Sequence, residues 1–480
     1  MVPWDTILIV ALYIYIAVTI VYLLLDNRET ASTLSWLLVF IFLPVLGLVV
    51  YFLIGRGMRK KTTRTLVRQD LETRLQDSHE SLVTQQKDEA DALHTRYPSP
   101  ETRKLIRLLY RNSDSILTRH NELSVFFNGQ EKFEVLFNDL MQARHYIHME
   151  YFIWKADDLT EMVVAVLKKK AAQGVTVRVL YDAVGNYLSG RYLRRLRRAG
   201  IQIYPYYNFV SPLKVHTLNY RNHRKVVVID GETGYLGGMN MGQEYVDGGK
   251  RFPVWRDTHI RIQGEAVAVL EEVFAVSWFN TTGETIDVKG FVPQPPPGIT
   301  HIQITTSGPD SQWHSIKQVY FLLISSAENS VFIQTPYFIP DASILMALKT
   351  AALSGIDVRI MLTGMLDKRV PYWAALTYID ELLQAGVRFY YYTEGFMHAK
   401  TIVVDSLCCS VGTANMDIRS FELNYEINAL IYDANVAKVF EAMFMKDLAA
   451  AREFTLEDYS RISRLKKFRN SLARLFAPLL

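Results

Sequence analysis

The chain has 480 residues, too many for one ordinary hydrophobic core, so two or three domains are expected. Its net charge of +4 is small for that size, which excludes a global argument for a nucleic-acid partner and leaves charge to be read locally. The two cysteines, Cys408 and Cys409, are adjacent, which excludes a disulfide framework, fits a reducing compartment and offers no Cys/His spacing suited to a metal.

Residues 6–25 read TILIVALYIYIAVTIVYLLL, about 20 apolar residues without a charge, the length that crosses a hydrocarbon core of ~30 Å. A second apolar run, 34–54, follows the polar stretch DNRETAS, and its Pro44 and Gly47 are tolerated in membrane helices. Together the runs predict a transmembrane helical hairpin within residues 1–61. A cleaved signal peptide fits poorly, because Asp5 and no basic residue precedes the first run and no small-residue cleavage pattern follows it. Arg56, Arg59, Lys60, Lys61, Arg64 and Arg68 crowd the exit of the second run, while the loop between the runs has only Arg28. By the positive-inside rule the protein is a multi-pass protein of the cell membrane with its bulk facing the cytoplasm.

Residues 62–120 are polar and helix-prone, a connector with lead-in helices, and PSPE at 98–101 marks a helix start. Phe126-Phe127-Asn128-Gly129 is an apolar pair running into an Asn-Gly turn, a hairpin signal, with an amphipathic segment after it.

From there the chain repeats itself in order. The strand HMEYFIW (148–154), a helix ending KKKAAQ and the strand GVTVRVLYD (174–182) match VFIQTPYFIP (331–340), a helix ending KTAALS and GIDVRIML (355–362). RRAGIQIYPYY (197–207) matches LQAGVRFYYY (383–392), and HRKVVVID matches HAKTIVVD. Strands and helices alternate at α/β spacing, so each copy should hold a largely buried sheet with helices on both faces, KVVVID and KTIVVD being central strands. FVPQPPPG (291–298) is too proline-rich for either element and suits a semi-rigid linker.

The fourth match carries the chemistry. The pattern His-x-Lys-x4-Asp occurs at His223-Lys225-Asp230 and again at His398-Lys400-Asp405, and in each copy a Gly and an Asn follow the histidine by 14 and 17 residues (Gly237 and Asn240, Gly412 and Asn415). One intervening residue puts each His and Lys on the same side of an extended strand. Two lobes related by a pseudo-twofold would bring two His, two Lys and two Asn around one pocket. The cations and amides would hold the non-bridging oxygens of a phosphodiester as charge builds in the transition state. One imidazole attacks phosphorus while the other protonates the leaving alkoxide and then deprotonates the incoming alcohol, with no metal or other cofactor required. Each imidazole needs a partner on its second nitrogen, and Asp257 and Glu426, at comparable distances downstream of their motifs, are the candidate orienters. Asp230 and Asp405 sit at strand ends and are either structural or in contact with phosphate.

These residues resemble the phospholipase D superfamily, and the resemblance to the bacterial cardiolipin synthases runs over nearly the whole chain. It includes the two apolar runs, HRKVVVID and HAKTIVVD, GGMN and GTANMD, VWRDTHIRIQG, SGPD and ELNYEINALIYD. The resemblance implies two tandem phospholipase D-like α/β/α domains, at 121–290 and 301–458 with a linker at 291–300. It further implies His223 as nucleophile, His398 as general acid and base, and transfer of a phosphatidyl group between two phosphatidylglycerols to give cardiolipin and glycerol. Where the second copy has Thr413, the first has Gly238, so a hydroxyl contact of Thr413 to phosphate has no counterpart.

The end of the chain, within 459–480, is a basic amphipathic tail. Ile462, Leu465, Phe468, Leu472 and Leu475 recur at three or four among Arg461, Arg464, Lys466, Lys467, Arg469 and Arg474, a pattern suited to an anionic membrane surface. Phosphatidylglycerol, other anionic phospholipids and the bilayer are therefore the expected partners, and nucleic acid is not. The alternatives are a membrane-bound phospholipase D that lets water reach the same intermediate, a nuclease, disfavoured by the apolar runs and modest charge, and a non-catalytic scaffold, disfavoured by two complete His, Lys and Asn sets.

Overall fold

The computed structural model describes residues 3–25, 30–51, 99–186, 188–206, 219–286 and 298–477. The chain divides into two compact units, Met1–Arg59 with Tyr207–Tyr220, and Lys60–Tyr206 with Arg221–Leu480.

In the first unit, Trp4–Leu25 is a helix of 22 residues, apolar on every side, and among the described residues it is the one helix long and apolar enough to cross a membrane. The second apolar run is divided: Thr30–Phe42 is one helix and Pro44–Val50 another. Pro44 explains the break, because it lacks an N–H and its ring crowds the preceding turn. Ile16 and Leu23 of the long helix cluster with Phe40 and Tyr51. The basic cluster expected at the exit of the second run and the proline-rich linker at 291–297 lie outside the described residues.

The second unit contains both repeats. In the first, strands β1 (Asn121–Phe126), β2 (Tyr146–Tyr151), β3 (Thr176–Asp182), β4 (Gln202–Tyr206), β5 (Lys225–Ile229), β6 (Thr233–Gly237) and β7 (His259–Gly264) form a sheet in the order β1-β7-β6-β5-β2-β3-β4. In the second, β8 (Ile302–Ser307), β9 (Ser330–Gln334), β10 (Asp357–Thr363), β11 (Arg388–Tyr392), β12 (Thr401–Val404), β13 (Cys408–Gly412) and β14 (Asn424–Ile431) run β8-β14-β13-β12-β9-β10-β11. The two orders are the same. Short strands Leu117–Thr118 and Ala451–Phe454 extend the second sheet at its two edges. Both sheets are mixed: β2 pairs parallel with β3 and antiparallel with β5, as β9 does with β10 and β12.

The expected helical cover on both faces of each sheet is only partly realised. One face of the first sheet packs on helices such as Gly129–Gln142 and Asp158–Ala172, through Phe133, Leu136, Val163 and Leu167. The other faces of the two sheets share one core: Val226, Val228, Leu236, Ile260 and Ile262 meet Ile302, Ile304, Val403, Val411 and Ile427, with Leu270 and Phe440 from flanking helices. KVVVID and KTIVVD are central strands because they are apolar on both sides and each side is buried.

At the lead-in, Ser99 caps the helix Pro100–Ser113 as PSPE implies. The Asn-Gly hairpin expected at 128–129 does not form. Asn128 instead caps the helix Gly129–Gln142, its side chain accepting from the Glu131 N–H. Asn serves either purpose, and the amphipathic segment that follows decides between them.

Candidate active site

Each motif histidine stands just ahead of a central strand. The segment Arg221–Asn222 pairs in parallel with Asn424–Tyr425 of the other repeat, and the His223 N–H donates to the Tyr425 carbonyl at 3.0 Å. Reciprocally, Phe396–Met397 pairs with Trp255–Arg256, and the His398 N–H donates to the Arg256 carbonyl at 2.7 Å. The repeats are thus stitched together by backbone at the two histidines. A buried ion pair, Arg256 with Asp447 at 2.7 Å, adds a side-chain tie.

The carboxylates cross over. His223 Nδ1 lies 2.9 Å from both oxygens of Glu426, and His398 Nδ1 lies 2.6 Å from Asp257 Oδ2. Each imidazole is therefore held by an acid from the other repeat, leaving its Nε2 for chemistry. Lys225 and Lys400 are fully buried, each donating to the carbonyl of its own motif histidine, His223 or His398, at 2.5 Å. Asn240 accepts from the Ile153 N–H at 3.0 Å and donates to the Tyr245 hydroxyl at 2.5 Å. Among the described residues Asn415 Oδ1 is buried with no hydrogen-bond partner.

His223, His398, Asn240 and Asn415 line one cavity of about 590 Å³. Its wall also carries Lys155, Arg221, Lys250, Arg251, Lys368 and Arg419, which none of the sequence motifs marked. Phe152 packs against His223 at 4.9 Å, and Trp255 and Phe396 against His398 at 5.2 and 5.8 Å.

Burial dominates the electrostatics. It pushes His223 down to about 4, with Glu426 opposing and Lys225 assisting, and His398 down to about 3, with Lys400 assisting and Asp257 opposing. The same desolvation brings Lys225 down to about 7 and Lys400 to about 8. Burial alone would raise Asp257 and Glu426, but the facing imidazoles and lysines outweigh it and hold both below the usual carboxylate range. Burial thus favours the neutral form of both imidazoles and both lysines, with the facing carboxylates opposing it.

The geometry bears on the alternatives left open at Asp230 and Asp405 and on the phosphate contact expected of Thr413. Asp230 and Asp405 are outside the cavity wall: Asp230 accepts the backbone N–H groups of Arg144, His145 and Tyr146 at 2.6, 2.8 and 2.8 Å, and Asp405 those of Glu328, Asn329 and Ser330 at 2.8, 2.7 and 2.8 Å. Both stand at φ of 53°, a left-handed turn that Asp tolerates, and tie a strand end to the start of the neighbouring strand. Thr413 is likewise turned away from the cavity. Fully buried, it donates to Glu426 Oε2 at 2.5 Å, and Asn424, which carried no sequence signal, donates to Oε1 at 3.0 Å. Gly238 has no side chain because a Cβ there would stand 2.1 Å from Asp257 Oδ1. Among the described residues no group of three or more His, Cys, Asp or Glu is arranged to hold a metal ion.

Residues 136–274 and 320–448, the two repeats, match the family described as cardiolipin synthase, PLD-like domain. The chain is 41% identical over 473 residues to the major cardiolipin synthase ClsA of Bacillus subtilis, covering 97% of each. The chain belongs to the cardiolipin synthase family of phospholipase D-like proteins. Within that family it is also 38% identical to a cardiolipin synthase of Listeria monocytogenes over 482 residues, 98% of each chain, and to cardiolipin synthase 2 of Staphylococcus epidermidis over 483 residues, 99% of this chain and 98% of that one. Residues 11–56 match a family described as Phospholipase D-nuclease N-terminal. The fold extends to the phosphatidylserine synthase of Haemophilus influenzae, with a TM-score of 0.60 at 14% identity over 78% of this chain and all of that one.

Proposed function

We propose that the chain is a membrane phosphatidyltransferase that makes cardiolipin from two phosphatidylglycerols, and that the crossed His–carboxylate pairs in one cavity are its catalytic centre. The observation that carries this is the pairing itself: two imidazoles, each oriented by the opposite repeat, with Asn240 and Asn415 beside them in the cavity wall and the buried Lys225 and Lys400 bonded to the carbonyls of the two histidines. His223 Nε2 attacks phosphorus, and the bond from phosphorus to the glycerol oxygen breaks. His398, protonated once the phosphodiester anion stands beside it, gives that oxygen its proton, and glycerol leaves. His398 then takes the proton from a hydroxyl of the second phosphatidylglycerol, whose oxygen displaces His223 to form cardiolipin. Lys225, Lys400, Asn240 and Asn415 hold the non-bridging oxygens while negative charge accumulates. Asp257 and Glu426 fix the tautomers and stabilise each imidazolium as it forms. The order of the two histidines follows the resemblance to the superfamily, since both carry the same kind of partner.

The same reading relates the two repeats by a pseudo-twofold through the cavity and places their limits at 121–290 and 301–458. The helix Trp4–Leu25 and the divided run Thr30–Phe42 and Pro44–Val50 serve as the two arms of a membrane hairpin, with the catalytic repeats on the cytoplasmic side. Phospholipase D hydrolysis is the second reading, because water in place of the second lipid would displace the same intermediate from the same residues.

The test is incubation of the purified protein in detergent with phosphatidylglycerol alone. Cardiolipin with equimolar glycerol is the expected product, phosphatidic acid would replace transfer by hydrolysis, and no turnover would sink both.

A further inference from the structure

The tail helix, Arg464–Arg474, uses one face and leaves another unmatched. Its packed face rests on the helix Arg369–Gln384: Asn470 and Ala473 are buried, the Arg469 guanidinium lies 4.1 Å from the Trp373 ring, and that of Arg474 lies 4.3 Å from Tyr378. Ile462, expected on the membrane row, packs against the core of the second repeat instead. Turned to solvent are Leu465 (78% exposed), Phe468 (62%), Leu472 (46%), Leu475 (74%) and Phe476 (54%). Their spacing by three and four puts them on a single stripe.

A continuous apolar stripe of this size marks a contact surface. Residues 460–480 contain Arg461, Arg464, Lys466, Lys467, Arg469 and Arg474 and no acid. A second copy of the chain would bring the same charge to the same face, and the two would repel. An anionic lipid surface meets both requirements, accepting apolar side chains below and pairing its phosphates with cations at the edge.

We propose that the stripe formed by Leu465, Phe468, Leu472, Leu475 and Phe476 lies flat in the interface of an anionic bilayer and seats the catalytic unit on it. The stacked arginines fix which face points outward, so the helix cannot roll to hide its leucines. The helix that carries it begins at the cavity, where Lys368 and Pro371 form part of the wall. Seating the tail therefore sets the height and tilt of the cavity relative to the lipid layer. This surface goes beyond the proposed reaction and does not depend on it.

The test uses the full chain in lipid nanodiscs, with Cys408→Ser and Cys409→Ser removing native thiols and an environment-sensitive fluorophore on Phe468→Cys. Lys438→Cys, exposed on a different helix, serves as reference. Phosphatidylserine discs supply anionic charge without the proposed substrate. The expected result is a blue-shifted dye at 468, quenched by spin labels on the acyl chains, with the dye at 438 unaffected and the signal reduced in phosphatidylcholine discs at high salt. A dye at 468 as water-exposed as that at 438 in phosphatidylserine overturns the proposal, as does shielding that persists in phosphatidylcholine and grows with protein concentration, which would make the occupant protein. Leu465→Ser, Phe468→Ser and Leu472→Ser together should raise the KM for vesicle lipid by about tenfold or more while leaving kcat in mixed micelles unchanged. An equal loss in both would assign the stripe to folding and refute the docking role.

Discussion

At the two ends of the cavity the same frame is set in different surroundings. Arg221 stands two residues ahead of His223, where Phe396 stands ahead of His398, and Asn424 and Trp255 stand two residues ahead of the respective carboxylates. Glu426 accepts from Thr413 and Asn424 besides its histidine, whereas Asp257 has the Thr258 N–H at 2.7 Å and a bare Gly238 beside it. The His223 end is polar and the His398 end aromatic. In the proposed reaction, attack on phosphorus and protonation of the oxygen leaving it need the same reach from either side, which accounts for the duplicated imidazole, carboxylate and lysine. The flanks carry no such constraint and have diverged.

The largest expected effect breaks the frame itself. His223→Ala and His398→Ala should each lower kcat by on the order of 10³-fold or more, and the double variant should be little worse, because the two act as a unit. If the proposed order holds, His398→Ala accumulates a covalent phosphatidyl adduct visible by intact mass, and His223→Ala does not; the reverse pattern would exchange the roles of the two ends. Lys225→Ala or Lys400→Ala should cost on the order of 10² to 10³-fold in kcat, the scale of losing one donor to a developing oxyanion.

A pH profile sharpens the comparison of the lysines. Burial disfavours their charged form, so with Lys225 at about 7 and Lys400 at about 8 they are protonated below those values and neutral above. Because kcat/KM reports the free enzyme, it should fall as pH rises through this window, Lys225 losing its charge first. A flat profile to pH 9 would mean that the lysines keep their charge in the empty site. The smallest effect belongs to Thr413→Val, which removes one hydrogen bond to Glu426 and should cost about 1–2 kcal/mol, read as a modest drop in kcat. Gly238→Ala, by contrast, should disturb Asp257 and the whole His398 end, because the new methyl meets its carboxylate at 2.1 Å.

Much of this was legible in the sequence because the repeat states it twice. The duplicated α/β unit and its two central strands follow from matched spacings, and the long apolar helix from length and composition. The crossing of Asp257 and Glu426 was not legible, since spacing along a chain says how far an acid is from its own motif and nothing about which repeat it faces. Asp230 and Asp405 were ambiguous for a related reason: a carboxylate that binds three backbone N–H groups looks, in one dimension, like one that binds a ligand. Thr413 points away from the cavity because its hydroxyl donates to Glu426 and accepts from the Ile427 N–H, contacts that only the folded sheet reveals. At Asn128 the residue type fitted two local structures, and packing of the helix that follows chose one.

The crossing has a consequence for assembly. Asp257 and Glu426 are both completely buried, and each meets its imidazole only when the other repeat is in place. A repeat expressed alone would present a carboxylate built for burial with no partner to face it, a costly arrangement that exposure to water would relieve by loosening the surrounding strands. Each repeat alone therefore lacks one member of both His–carboxylate pairs, and a chain cut between the repeats should regain activity only when both halves are present together.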